Sequence, residues 1–275
     1  MWNCPKVLYL FTVSDFQTLV LPVTVFAYLS APNTSADRML CSVFWTWLHL
    51  LQFCISNQSI HPKEDSLNKP WRPIPSGLIS VNDTRTLRWV LLPLCLFFSV
   101  CLEAHWPSIS LAIVIIAYNE LHMSSHWFLR GFCYAWGNAS FNAGALQIAA
   151  GQPMMISRTT ISIAINSLII LSTIHTQDFR DQVGDKLVGR QTIPILWPKG
   201  SRIWILANLV VWSAGLSWAC GCTPVSVPFC ALGVFIGLRI FRARTTDADK
   251  RSYRYYNVWL MVAQVIHIPG IATTL

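Results

Sequence analysis

Residues 39–57 read MLCSVFWTWLHLLQFCISN and contain no lysine, arginine, aspartate or glutamate. A helix rises 1.5 Å per residue and needs about 20 mainly apolar residues to cross the hydrocarbon core of a bilayer, so this stretch predicts a membrane-spanning helix. The whole chain has the same character, since 53% of its 275 residues are hydrophobic and only 12% are charged. Soluble domains carry roughly a quarter charged residues. The composition therefore indicates an integral membrane protein.

Apolar windows of this kind recur along the chain. They predict an all-α fold, an integral membrane bundle of about nine transmembrane helices that forms a single polytopic domain over residues 1–275. Ser14, Asp15 and Gln17 interrupt the first window and no small-residue cleavage site follows it, so we expect that segment to be retained and not cleaved as a signal. The windows are 9–30, 39–57, 86–104, 108–121 (a short one), 131–150, 159–176, 202–221, 224–241 and 255–274.

The positive charges are distributed unevenly between the two sides of the predicted bundle. With a cytosolic N-terminus, 18 of the 20 Lys and Arg residues lie on the cytosolic side, and only Arg38 and Arg158 lie on the other. The positive-inside rule favours this orientation. We therefore attribute the net charge of +8 to topology and expect no nucleic-acid partner. The polar loops 58–85 and 177–201 share the cytosolic side and are expected to cap an active site there. A sequon at Asn33 would be lumenal, which suggests the endoplasmic reticulum.

Polar residues 175–194 read HTQDFRDQVGDKLVGRQTIP. Asp178, Asp181 and Asp185 are three and four residues apart, so on a helix they project from one face. Their mutual repulsion is tolerable if a cation lies between them, and Mg²⁺ is the dication that binds carboxylates together with substrate phosphates. An alternative is a solvated, salt-bridged helix end. The nearby cations able to reach phosphate oxygens are Arg180, Lys186 and Arg190.

Residues 57–77 read NQSIHPKEDSLNKPWRPIPSG and follow the second window. The His61-Pro62 pair is expected to end or kink that helix, because proline cannot continue the hydrogen-bond ladder and restricts the residue before it. Asn57 and Asp65 flank the bend and are candidate metal ligands. A purely structural turn is the alternative. The candidate phosphate-binding cations here, held by neighbouring prolines, are Lys69 and Arg72.

These two segments resemble the motifs of the UbiA superfamily of intramembrane prenyltransferases. The second matches the family pattern DxxDxxxD, and the first retains part of NDxxDxxxD followed by KPxRP, with Gln58 and His61 where aspartates usually stand. The resemblance implies a nine-helix bundle with two aspartate-rich motifs facing one pocket and Mg²⁺ at both. Glu64 is a spare ligand. The implied catalytic aspartates are Asp65, Asp178, Asp181 and Asp185, and the implied metal ligands are these four with Asn57.

Further candidates come from the fourth and fifth windows and from aromatic residues. Arg130 follows the fourth window and is a candidate diphosphate ligand, although an ordinary positive-inside residue is equally consistent. Asn138 lies about two turns along the fifth window, where it faces the pocket or makes an interhelical hydrogen bond. Aromatic faces stabilise cations. The aromatic candidates for lining the pocket are Trp45, Trp47, Phe53, Phe132, Tyr134 and Trp136.

The resemblance implies an enzyme that ionises an allylic isoprenyl diphosphate with Mg²⁺. We favour cyclisation of farnesyl (C15) or geranylgeranyl (C20) diphosphate to a terpene hydrocarbon, because the weakened first motif and NKPWRPIPSG resemble a fungal and bacterial group that includes terpene cyclases. No acid or base for positioning a phenol is apparent. The alternative is prenyl transfer to an aromatic or other small acceptor. A non-enzymatic transporter is disfavoured, since charges avoid the span interiors. Membrane lipid is the other expected partner, with no obligate protein partner.

Overall fold

The computed structural model describes residues 4–31, 33–152, 158–222 and 224–268. Within these ranges the fold is all-α, with one isolated backbone bridge between His126 and Gln191. The predicted fold class is therefore confirmed. The helices are α1 (Cys4–Thr12), α2 (Leu21–Ser30), α3 (Ala36–Ile60), α4 (Pro62–Asn68), α5 (Val81–Cys101), α6 (His105–Asn119), α7 (Trp127–Ala150), α8 (Arg158–Thr173), α9 (Asp178–Leu187), α10 (Ile193–Leu196), α11 (Pro198–Ala219), α12 (Ser226–Arg242) and α13 (Thr246–Ala263).

Each predicted window coincides at least in part with a helical segment of the described chain. Four segments are both long and apolar enough to cross a membrane: Pro5–Ser30, Ala36–Ile60, Val81–Cys101 and Thr159–Leu187. The remaining segments are shorter or carry more polar residues. α6, for example, has only 15 residues, as the short fourth window predicted.

The last helix begins earlier than the hydropathy pattern predicts. The predicted window is 255–274, whereas α13 begins at Thr246, and residues 269–274 lie outside the described ranges. Thr245 caps the helix by accepting a hydrogen bond from the amide of Ala248 at 3.3 Å. Side chains of the polar first turns, such as Asp249 and Ser252, are buried. A hydropathy window misses these turns because the bundle, and not lipid, covers them.

α3 shows how local chemistry sets the position of the first motif. Ser35 caps the start of this helix by accepting a hydrogen bond from the amide of Arg38 at 3.3 Å. The helix ends at Ile60, and Pro62 begins the short helix α4. Proline is tolerated at the start of a helix, where its missing N–H is not needed. The predicted break at His61-Pro62 is thus confirmed.

The apolar core consists of two clusters of buried side chains. One is built mainly by α1, α2, α3, α5, α6 and α7, and the other by α8, α11, α12 and α13 with parts of α7. A narrow cavity of about 90 Å³ lies between them. α4 packs against α9, so the two polar segments meet at one end of the bundle. The fold therefore brings both motifs together beside the cavity.

Candidate active site

Helices α4 and α9 are held close to each other at Gly184. The side-chain amide of Asn68 donates a hydrogen bond to the backbone carbonyl of Asp181 at 3.2 Å. A Cβ atom added to Gly184 would lie 2.3 Å from Nδ2 of Asn68. Only glycine leaves room for this contact, so Gly184 of the second motif allows the first motif to pack against it.

Three of the four predicted catalytic carboxylates are each bound to a buried arginine. Asp65 Oδ1 accepts a hydrogen bond from Nη1 of Arg72 at 2.7 Å. Asp178 Oδ1 accepts two, from Nη2 and Nε of Arg130 at 3.0 and 3.2 Å. These pairs are almost inaccessible to water, which makes their charges strongly interacting. Arg130 is therefore buried in the bundle and paired with Asp178, while its binding of a diphosphate stays a prediction.

Arg190 joins the two motifs. Its Nη1 donates to Asp185 Oδ1 at 3.0 Å and to Glu64 Oε1 at 2.6 Å. Glu64, predicted as a spare metal ligand, thus contacts the second motif through an arginine. The loop that carries Arg190 is anchored by the amide of Gln191, which donates to the carbonyl of Ser125 at 2.9 Å.

The carboxylate of Asp181 is held more loosely than the others. Its nearest described cations are Nε of Arg180 at 3.5 Å and Nζ of Lys69 at 3.7 Å, distances beyond those of a short charged hydrogen bond. Burial lowers the pKa of Lys69 from its ordinary value, and the neighbouring Arg72 lowers it further. Arg72 stays charged, because Asp65 and Asp15 outweigh the effect of burial and raise its pKa.

Three tyrosines lie between the apolar cavity and the charged cluster formed by the ion pairs above. The cluster consists of Glu64, Asp65, Lys69, Arg72, Arg130, Asp178, Arg180, Asp181, Asp185 and Arg190. The hydroxyl of Tyr118 accepts a hydrogen bond from Nη1 of Arg130 at 2.7 Å and is 2.8 Å from the hydroxyl of Tyr134. The guanidinium of Arg180 lies 4.0 Å from the ring centre of Tyr253. All three rings also line the cavity. Each ring is therefore shared by the polar and the apolar part of the site.

The cavity walls are otherwise mainly apolar, and the polar residues among them are few. Asn138 lines the cavity, and its side-chain carbonyl accepts a hydrogen bond from Asn142 at 3.0 Å. Both residues belong to α7, so this bond is not the interhelical one that the second alternative predicted. Of the six aromatic candidates, Phe53 and Tyr134 line the cavity. Trp45 instead packs on Gly144 and donates to Ser99, and Phe132 is 42% exposed.

The other predicted site residues lie in varied positions. The amide of Asn57 donates to Asn119 at 3.4 Å, near the start of the first motif. Lys186 is exposed on α9 and is not brought to the cluster. Gln58 is buried and donates to the carbonyl of Phe11 at 3.0 Å, so it ties α3 to α1. The Nε2 atom of His61 is buried and finds no partner in the ranges that the structure describes. Burial together with the nearby Arg190 lowers the pKa of His61 to about 4.

The residues present are chemically suited to a divalent cation bound together with phosphate. The second oxygen of Asp185, Oδ2, is buried and has no hydrogen-bond partner among the described residues, with which the Asp181 carboxylate makes only long contacts. No three acidic, histidine or cysteine side chains of the described ranges converge into a closed metal shell. Mg²⁺ is usually bound by one or two carboxylates plus substrate phosphates, so such a closed shell is not required.

Asp15, Tyr118 and Tyr253 line the cavity, but neither of the two sequence motifs contains them. Asp15 was visible as a charge interrupting the first apolar window. The two tyrosines had no distinguishing signal, because their neighbours in the sequence are ordinary helix residues.

Comparison with known proteins identifies the family. The UbiA prenyltransferase family profile matches residues 19–261. The chain is 30% identical over 270 residues to fumagillin beta-trans-bergamotene synthase of Aspergillus fumigatus, covering 96% of this chain and 92% of that protein. It is 27% identical to somaliensene A/B synthase of Streptomyces somaliensis, again over 96% and 92% of the two chains. A polyprenyl transferase of Hericium erinaceus is 25% identical over 90% of this chain and 88% of its own.

Solved structures with the same fold include a UbiA homolog from Archaeoglobus fulgidus bound to GPP and Mg²⁺. It superposes with a TM-score of 0.63 at 14% identity and covers 95% of this chain and 99% of its own. A digeranylgeranylglyceryl phosphate synthase superposes with a TM-score of 0.66 at 18% identity over 98% of both chains. Motifs, fold and sequence similarity over nearly the whole length agree, and the chain belongs to the UbiA prenyltransferase family.

Proposed function

We propose that this protein is a membrane terpene cyclase, which ionises a C15 or C20 allylic isoprenyl diphosphate and closes the resulting carbocation to a hydrocarbon. The observation that carries this proposal is the junction of a buried charged cluster with a narrow apolar cavity. The cluster suits a diphosphate and the cavity suits a prenyl chain. The similarity to two terpene synthases supports the same reaction class.

In this proposal the cluster binds the diphosphate and draws it away from the allylic carbon. Lys69, Arg72 and Arg190 would contact phosphate oxygens, with Arg130 and Arg180 contributing from the tyrosine side. Mg²⁺, held by Asp181 and Asp185 with Asp65, Asp178 and Asn57 around it, would neutralise charge on the leaving group. Such electrostatic stabilisation of developing charge is usually the largest contribution to catalysis of this kind.

Several members of the cluster begin in ion pairs with each other, which has a consequence for binding. Asp178 is paired with Arg130 and Asp65 with Arg72. An incoming diphosphate and cation would exchange these partners, the arginines turning to phosphate and the carboxylates to the cation. The exchange keeps each buried charge paired, so it avoids the large cost of an isolated buried ion.

The cavity would control the carbocation after the diphosphate has left. Phe53, Tyr118 and Tyr134 form part of its wall, and an aromatic face contributes up to about 2 kcal/mol to the stability of a desolvated cation. At about 90 Å³ the cavity is a slot between side chains, so a prenyl chain has to displace some of them on binding. A close fit of this kind excludes water, which would otherwise convert the cation to an alcohol.

The polar loops 58–85 and 177–201 would cap this site on the cytosolic side of the membrane, and we propose the endoplasmic reticulum as its location. The charge asymmetry of the chain supports the orientation, because 18 of its 20 Lys and Arg residues belong to the side that bears the cluster.

Incubation of the protein in lipid nanodiscs with Mg²⁺ and C10, C15 or C20 prenyl diphosphate, without any acceptor, tests the proposal. We expect a terpene hydrocarbon from one of the longer substrates. The matched controls are Asp181→Asn, expected to be inactive, and Asp247→Asn, an exposed aspartate paired with Lys250 at the surface that is expected to be fully active. Product that forms only after addition of an aromatic acid or phenol would exclude cyclisation as the reaction.

Prenyl transfer is a second candidate, favoured by a separate cavity. This second cavity, of about 600 Å³, lies between α7, α8, α10 and α11. Arg130 and Asp178 of the cluster line it, as does Tyr134, which also lines the first cavity. His175 lines it and is only 4% exposed, and within the described part of the chain neither of its ring nitrogens has a hydrogen-bond partner. An acceptor with one hydroxyl group would form a hydrogen bond with a ring nitrogen of His175. In this case His175→Leu should reduce transfer to an added phenol and leave diphosphate binding unchanged.

A further inference from the structure

The first apolar segment is not a continuous α-helix, and Asp15 lies where it is interrupted. α1 ends at Thr12, a 3₁₀ turn covers Val13–Asp15, and a π-helical turn covers Phe16–Val20 before α2 begins. Asp15 has φ −113° and ψ 2°, outside the helical region. Isolated π turns inside helices occur frequently at functional sites. The interruption changes the direction in which Asp15 projects from the helix.

Asp15 contributes a carboxylate to the wall of the apolar cavity. Its side chain is 30% exposed and lies beside Thr18 and Leu19 in that wall. In the described part of the chain, no other aspartate or glutamate lines this cavity. The four predicted catalytic aspartates belong to the cluster at its end. Asp15 is therefore the acidic side chain positioned to meet the hydrocarbon part of a bound substrate.

The contacts of the Asp15 side chain with its neighbours are too long to give this carboxylate a structural role. Its Oδ2 atom is 4.0 Å from Nη2 of Arg72, too far for a hydrogen bond, and Arg72 is already fixed by Asp65 at 2.7 Å. The thiol of Cys54 is a weak donor 3.7 Å away. The carboxylate thus keeps acceptor capacity.

We propose that Asp15 accepts the proton that ends the carbocation cascade. This inference rests on the proposed cyclisation. The C–H bond next to the cationic carbon breaks, its electron pair forms the final C=C bond, and the proton bonds to a carboxylate oxygen of Asp15. The proton then passes to the released diphosphate, so that hydrocarbon and protonated diphosphate together balance the substrate and Asp15 returns to its charged form.

The variant Asp15→Asn keeps the shape of the side chain and removes its basicity. We expect diphosphate release to stay within about threefold of the wild-type rate, because ionisation precedes deprotonation. We expect the main hydrocarbon to fall at least about tenfold as a share of product, replaced by prenyl alcohol and by alkenes from earlier cations. Gas chromatography with mass spectrometry measures the products, and a diphosphate assay measures ionisation.

Two further variants make the outcome interpretable. Asp15→Glu restores a carboxylate and should recover the main hydrocarbon at least in part. Gln17→Ala, two residues further on in the adjoining π turn and exposed, is the matched control and should give the wild-type products. An unchanged product distribution in Asp15→Asn would overturn the inference and assign the role to the diphosphate. Diphosphate release about 100-fold slower would also overturn it, by placing Asp15 in ionisation. Absence of hydrocarbon from the wild type would instead overturn the proposed function, and this inference with it.

Discussion

Removal of the Asp181 carboxylate should stop catalysis and leave the stability of the fold nearly unchanged. Asp181 is the one member of the second motif whose nearest described cations, Arg180 and Lys69, are 3.5 and 3.7 Å away. Asp178 and Asp185 each have an arginine at 3.0 Å. We expect Asp181→Ala to abolish turnover with little change in the stability of the unliganded protein, and Asp178→Ala to impair both.

The expected stability change follows from the charges around Asp181. At an effective dielectric constant of about 20, each of its two cations attracts it by about 4.6 kcal/mol, a total of about 9 kcal/mol. Asp178 and Asp185 are three and four residues away on the same helix, where side chains at these spacings lie about 5–6 Å apart. Each of them therefore repels the Asp181 carboxylate by about 3 kcal/mol, a total of about 6 kcal/mol. Burying a carboxylate costs several kcal/mol more. The net effect is near zero, whereas breaking a buried pair such as Asp178–Arg130 costs about 3–5 kcal/mol.

The expected effect on turnover is much larger. Loss of a ligand that stabilises developing charge should lower kcat/KM by about 10³-fold or more, equivalent to about 4 kcal/mol. Thermal unfolding followed by tryptophan fluorescence in nanodiscs, with and without Mg²⁺ and inorganic diphosphate, measures stability and ligand binding. Wild-type protein at a ligand concentration 100 times Kd should gain about 2.7 kcal/mol, and the Asp181→Ala protein should gain little.

The matched control is Asp247→Ala, because Asp247 has a side chain 84% exposed and pairs with Lys250 at the surface. It should retain wild-type turnover and the full stabilisation by ligand. Turnover of Asp181→Ala within tenfold of wild type would refute a direct role for this carboxylate. A loss of stability as large as that of Asp178→Ala would refute the argument that its contacts contribute little to folding.

The remaining predictions concern the docking of the two motifs and the composition of the first. Gly184→Ala should push Asn68 away from Asp181 and lower kcat/KM. Gly215→Ala should leave kcat/KM unchanged, because a Cβ added there meets no atom of the described residues within 4 Å. Equal activity of the two variants in steady-state assays would contradict the docking role. Arg72→Lys should lower kcat/KM by about 10²-fold, because a lysine cannot bind Asp65 and phosphate with the same planar fork; diphosphate release measures this, and rates near wild type would exclude Arg72 from the site. His61→Asp should lower the half-saturating Mg²⁺ concentration by about threefold or more, since it adds a carboxylate near the cluster; an unchanged Mg²⁺ titration would show that His61 does not limit metal binding.

The sequence alone was enough to predict the membrane-bundle fold and most residues of the charged cluster. Apolar windows report how much of a segment can face lipid or protein, and each window coincides at least in part with a helical segment of the described chain. The short helices α4, α9 and α10 lie outside all nine windows. The spacing of Asp178, Asp181 and Asp185 depends only on helical periodicity, and all three are buried on one helix. The break at Pro62 is a backbone effect of one residue on its neighbours. Such local signals survive in the sequence because they do not depend on which helix lies opposite.

Which side chains face one another was decided by tertiary packing. Gln58 occupies a position that aspartate usually holds in the family motif, yet it turns toward α1 and binds the carbonyl of Phe11. Lys186 belongs to the acidic helix and remains on its exposed side. In the sequence, Asp15 is only a charge that interrupts an apolar window. In the structure, the interrupted helix places it in the cavity wall. Helix rotation and the close approach at Gly184 depend on side-chain volumes from several distant segments. Periodicity along one segment therefore gives the face on which a residue lies, and packing between segments decides what that face meets.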